Sequence, residues 1–79
     1  MTIQNESLRK YSVSIAGHRT SLSLEPEFWE SLKDISEKKN MTLSALIREI
    51  DAVRGRQNLS SAIRVFILEY FRNKFSDRK

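Results

Sequence analysis

Two short stretches of this chain carry side chains and amides suited to molecular recognition. In the first, Arg19, Ser21 and Ser23 occupy alternate positions, with Thr20, Leu22 and Leu24 between them. Such alternation predicts a strand with one wet face and one buried face. A guanidinium and two hydroxyls on the wet face can meet base edges: arginine suits guanine, and serine donates or accepts at several bases. The second stretch is Asn40-Met41-Thr42-Leu43-Ser44. A helix capped by Thr42 would leave the N–H groups of Thr42, Leu43 and Ser44 pointing outward, where the helix dipole favours an anion. With the Thr42 and Ser44 hydroxyls, these amides suit a phosphate. Ordinary helix capping is the simpler role for both side chains, and it leaves phosphate binding open.

Covalent and metal chemistry find little support. The chain has one histidine and no cysteine, so a metal site would need carboxylates or a second subunit. His18 reads as a turn or surface residue. No nucleophile stands with a base and a pocket, which predicts a protein without catalytic residues, metal or cofactor. Asp51, Arg48, Arg54 and Arg64 suit surface or interhelical ion pairs, and Trp29 with Phe28 and Leu32 suits core or dimer packing.

The elements that must position these groups follow from periodicity. A strand over 19–24 is too short to stand alone, and no second well-bounded strand follows it. The expected partner is the same strand of a second copy, giving a two-stranded antiparallel intersubunit ribbon that the DNA major groove can admit. Tyr11, Val13 and Ile15 also alternate with serines. This run either extends the strand backwards through a bend at Ala16-Gly17 or forms a hairpin with it, and the sequence leaves both open.

Glu25-Pro26 opens a first helix with Phe28, Leu32 and Ile35 on one face, ending near Lys38-Lys39-Asn40. Thr42 opens a second, with Leu43, Leu46, Ile47, Ile50 and Val53 apolar, ending near Arg54-Gly55. Asn58 or Ser60 caps a third, whose main face is Ile63, Phe66, Ile67, Tyr70 and Phe71. Val65 and Leu68 widen that face, which predicts packing on two neighbours or on another subunit. The fold class is therefore mostly α with one short strand. Its expected organisation is an N-terminal arm over 1–10, a domain over 11–75 and a frayed tail over 76–79.

At 79 residues a monomer buries little apolar surface, and oligomerisation is the expected remedy. The net charge is +4, distributed as +2, −2, +1 and +3 over residues 1–19, 20–39, 40–59 and 60–79. A basic balance favours anionic partners such as nucleic acid. Met1 to Ser7 lacks the basic-then-apolar pattern of a secretory signal. The longest apolar run, Val65-Phe66-Ile67-Leu68, is too short to span a bilayer. Together with the absence of cysteine, this predicts a cytoplasmic protein with no membrane partner.

The run His18-Arg19-Thr20-Ser21-Leu22-Ser23-Leu24-Glu25, together with Phe28-Trp29-Glu30-Ser31-Leu32, Ile50-Asp51 and Asn58-Leu59-Ser60-Ser61-Ala62-Ile63-Arg64, resembles the ribbon-helix-helix DNA-binding superfamily. Within it, the chain is similar to a bacterial subfamily that adds a third helix, and the likeness covers about residues 13–71. The resemblance implies an intertwined homodimer that binds double-stranded DNA, as a transcriptional repressor or an antitoxin. Superfamily ribbons often present several long polar or basic side chains, whereas this one offers two serines and one arginine. The expected function is a homodimeric DNA-binding regulator, able to assemble further, with Arg19, Ser21 and Ser23 reading bases and Thr42, Leu43 and Ser44 holding phosphate. The alternative is an interaction or antitoxin-like module whose C-terminal helix binds a partner protein.

Overall fold

A computed structural model describes residues 8–76 of the chain. Of the expected arm over 1–10 and tail over 76–79, residues 1–7 and 77–79 lie outside the described residues. The elements run β1 (Arg9–Ile15), β2 (His18–Leu24), α1 (Pro26–Lys38), α2 (Leu43–Val53) and α3 (Leu59–Ser76).

The two strands form an antiparallel hairpin, with Ile15 opposite His18 at the turn and Arg9 opposite Leu24 at the far end. Two sequence expectations are corrected here. The described residues form two strands, not one, and the partner of the Arg19–Leu24 run belongs to the same chain. Arg9 and Lys10, assigned above to the arm, are the first residues of β1. The turn supplies the reason. Ala16 and Gly17 both take positive φ, 52° and 84°, the backbone of a two-residue turn whose twist matches that of the flanking strands. Glycine reaches this region freely, and alanine does so at a modest cost. A tight turn makes the local pairing the nearest one available, so the hairpin alternative prevails.

α1 opens on Glu25 and Pro26, with Glu27 in its first turn and Lys38 in its last. It closes through Asn40, whose φ is 57°. The Met41 N–H donates to the Ser36 carbonyl at 2.9 Å and that of Asn40 to Glu37 at 3.1 Å. These paired bonds satisfy two carbonyls the helix end would otherwise leave open. The Thr42 side chain then caps α2 by accepting from the Ala45 N–H at 3.0 Å. α3 is capped by Asn58 rather than Ser60: Asn58 Oδ1 accepts from the Ser60 and Ser61 amides at 2.9 and 3.3 Å.

One core joins all five elements. The inner hairpin face contributes Val13, Ile15, Leu22 and Leu24; α1 adds Leu32 and Ile35, α2 adds Leu46, Ile47 and Ile50, and α3 adds Ala62, Ile63 and Ile67. α2 packs against β1 and α3 against β2, while α1 touches both other helices. Tyr11 stacks on Trp29 with ring centroids 4.0 Å apart and planes 5° from parallel, which ties β1 to α1. Val53, expected on the apolar face of α2, is 82% exposed at the helix end. Phe71, expected on the main face of α3, is exposed with Val65 and Leu68. These residues point away from the core, so the wide apolar face of α3 is only half covered by its own chain.

Candidate nucleic-acid interface

Because the hairpin's inner face is buried on α2 and α3, its outer face turns away from the helices. The pleat sends alternate side chains there. The cross-strand pairs on that side are Lys10 with Ser23, Ser12 with Ser21, and Ser14 with Arg19. Five of these six residues are exposed, and Ser23 is half-buried. The surface is thus a narrow polar ribbon with a cation near each end. Lys10 and Arg19 lie four strand positions apart along the ribbon, about 13 Å, or roughly four base-pair steps.

Arg19, Ser21 and Ser23 therefore share one face, as their alternation implies. Lys10, Ser12 and Ser14 join them, and sequence reasoning missed these three. The signal was present: Tyr11, Val13 and Ile15 mark an inward face, so the residues between them had to point outward. They gained meaning only once the hairpin set β1 beside β2.

Thr42, Leu43 and Ser44 sit on a different element, the start of α2. Thr42 and Ser44 are exposed and Leu43 is half-buried, so Leu43 can offer only its backbone amide. The Ala45 amide is occupied by Thr42 Oγ1. The Leu43 and Ser44 amides fall in the first turn, where a helix supplies no internal acceptor. Lys38 and Lys39, also exposed, precede this turn and add positive charge. The structure brings this group together as a unit separate from the ribbon.

Beside β2 runs a polar groove of about 350 Å³, lined by Thr20, Ser21, Ser23, Asn58, Ser60 and Arg64. Arg64 is held by Glu25: Nη2 lies 2.9 Å from Oε1, and Nε donates to the same oxygen at 3.0 Å. A hydrogen bond from its own backbone amide lowers the Glu25 carboxyl below its ordinary value. Partial burial opposes this, and the hydrogen bond and charge of Arg64 add to the lowering. This pair ties the ribbon's exit into α1 to α3 and leaves Arg64 less available to an external anion. Arg54 is likewise engaged, by Asp51 Oδ1 at 2.6 Å and the Gln57 carbonyl at 2.6 Å. His18 is exposed beside the turn. Among the described residues, no three His, Cys, Asp or Glu side chains are grouped to hold a metal ion. No helix among them is long and apolar enough to cross a membrane.

A strand ribbon followed by two helices, with a third helix closing the core, defines a class of small recognition domains. The family model for the ribbon-helix-helix domain matches residues 8–71, and the chain belongs to that family. Its domains are generally DNA-binding transcription regulators or antitoxins, and the fold is non-enzymatic. No curated protein and no solved structure matches the chain significantly.

Proposed function

We propose that this protein is a homodimeric DNA-binding regulator, acting as a transcriptional repressor in the bacterial cytoplasm, that lays the outer face of its β1–β2 ribbon in the major groove. The observation that carries this reading is the uncovered face of Lys10, Ser12, Ser14, Arg19, Ser21 and Ser23. A two-stranded ribbon matches the width of the groove, and small hydroxyls let its backbone approach the bases. Arg19 reads guanine, and Ser21 and Ser23 adjust to neighbouring bases. The start of α2, with Thr42, Leu43 and Ser44, grips a phosphate and fixes the register. Because each protomer carries its own ribbon, a dimer presents two, and its operator has two related half-sites.

Selection of bound sequences from random duplex DNA, followed by titration of the best sequence, tests the reading. The expected result is a two-fold related consensus bound far more tightly than random DNA, with affinity falling steeply as salt rises. Absence of any duplex binding at low salt refutes it. The exposed stripe of Val65, Leu68 and Phe71 favours a second reading, a protein-interaction or antitoxin-like module. Stoichiometric co-purification of a specific protein that covers α3 would support that reading.

A further inference from the structure

We propose that the ribbon of one chain carries an internal two-fold axis between Ser12 and Ser21, so that a single chain reads a quasi-palindromic block of duplex. This deepens the DNA-binding reading and rests on it. The axis follows from the register. An antiparallel pair relates its two strands by a local two-fold axis normal to the sheet. β1 and β2 are each seven residues long, and their middle residues, Ser12 and Ser21, face one another. Rotation about that point carries Lys10 onto Arg19, Ser12 onto Ser21 and Ser14 onto Ser23, a constant step of nine positions along the chain. The outer face is thus a cation and two serines, written twice.

The inner face follows the same rule only in part. Val13 maps onto Leu22 and Ile15 onto Leu24, all four buried. Tyr11, stacked on Trp29, maps instead onto Thr20, which lines the groove beside the start of α3. β1 packs against α2 and β2 against α3, so the helices ask for no symmetry between the strands. The repeat is complete on the face that turns away from them, where packing does not require it. A partner of matching symmetry gives it a use: the strands of a duplex are related by two-fold axes, and operators mirror the symmetry of the protein that reads them. The hairpin so achieves in one chain what pairing two copies of β2 would have achieved in two. The symmetry is broken at one position. Arg19 carries a fork that fits guanine and Lys10 a compact charge, so the block has a fixed guanine at one end only.

Selection from random duplex DNA with the wild type and with Lys10→Arg tests the axis. The wild type should yield a block with one dominant guanine, which Arg19→Ala loses. Lys10→Arg, a conservative change at an exposed position, should gain a second guanine on the opposite strand. The new guanine should lie roughly four base-pair steps from the first and be preferred about tenfold over other bases, which turns the block into an inverted repeat. Native mass spectrometry should show one single-block duplex bound per chain, so that a dimer takes up two. A guanine gained at any other position, no gain at all, or two chains sharing one block overturns the inference while the DNA-binding reading stands. Absence of duplex binding by the wild type refutes both.

Discussion

Arg19 and Lys10 share the ribbon face but have different expected roles. Arg19 can form a two-pronged hydrogen bond with guanine, so Arg19→Ala should cost about 1–3 kcal/mol at the preferred operator and relax base preference there. Lys10 presents a compact charge near the opposite end, suited to phosphate. Lys10→Ala should weaken binding about equally on all sequences and reduce the salt slope by about one. Mobility-shift titrations on operator and random duplex at several salt concentrations separate the two. Unchanged affinity and selectivity in Arg19→Ala would show that this residue does not read DNA. At the turn, Ala16 holds a positive φ that asparagine or glycine adopts more easily. Ala16→Gly should therefore raise the thermal midpoint slightly, by about 0.5–1 kcal/mol of stability. Gly17→Ala should lower stability by about 1 kcal/mol through backbone strain alone, as a Cβ there meets nothing within 4 Å.

At the scale of elements, caps and cross-links decide how the ribbon is held. Thr42 ends the turn from α1 and begins α2, so Thr42→Ala should remove about 1 kcal/mol of stability by freeing the Ala45 amide. If this start of α2 also grips phosphate, affinity should fall on every duplex with base preference unchanged, measured under conditions where the variant remains folded. The Glu25–Arg64 pair joins the first residue after β2 to α3. Because the folded-state carboxyl is lowered, its stabilisation is complete above the ordinary value near 4.5 and is lost as pH falls through and below it. Both groups are about one-third exposed, so solvent screening keeps the effect small. Denaturant unfolding followed by circular dichroism from pH 7 to pH 3 should show a shallower acid decline in Arg64→Ala than in wild type. An identical decline would mean that Arg64 has no part in the acid sensitivity.

For the whole molecule, α2 and α3 back the hairpin and leave its polar face open, while α3 leaves an apolar face open elsewhere. The polar and the apolar exposed surfaces are thus separate. The stack of Tyr11 on Trp29, the chain's single tryptophan, offers a direct readout of hairpin docking. Tyr11→Ala should change Trp29 emission and reduce stability, by about 0.5–1.5 kcal/mol beyond the lost area. DNA bound on the far face should leave that emission nearly unchanged, because Trp29 lies on the helix side of the sheet.

Three helices, their apolar stripes and the inward Leu22 and Leu24 were legible because periodicity and capping are local properties of the chain. Alternation likewise set Arg19, Ser21 and Ser23 on one face before any partner strand was known. The identity of that partner was not legible. Two copies of β2, or β1 with β2, satisfy the same alternating pattern, and the sequence also allowed a bend at Ala16-Gly17. The positive φ angles at both residues and the shared burial of Val13, Ile15, Leu22 and Leu24 decide for the hairpin. That decision added Lys10, Ser12 and Ser14 to the ribbon face. Which apolar residues of α3 remain uncovered was settled in the same way, by how many neighbours the fold could place around one helix. Periodicity reports that a face is apolar; only the assembled chain determines what reaches it.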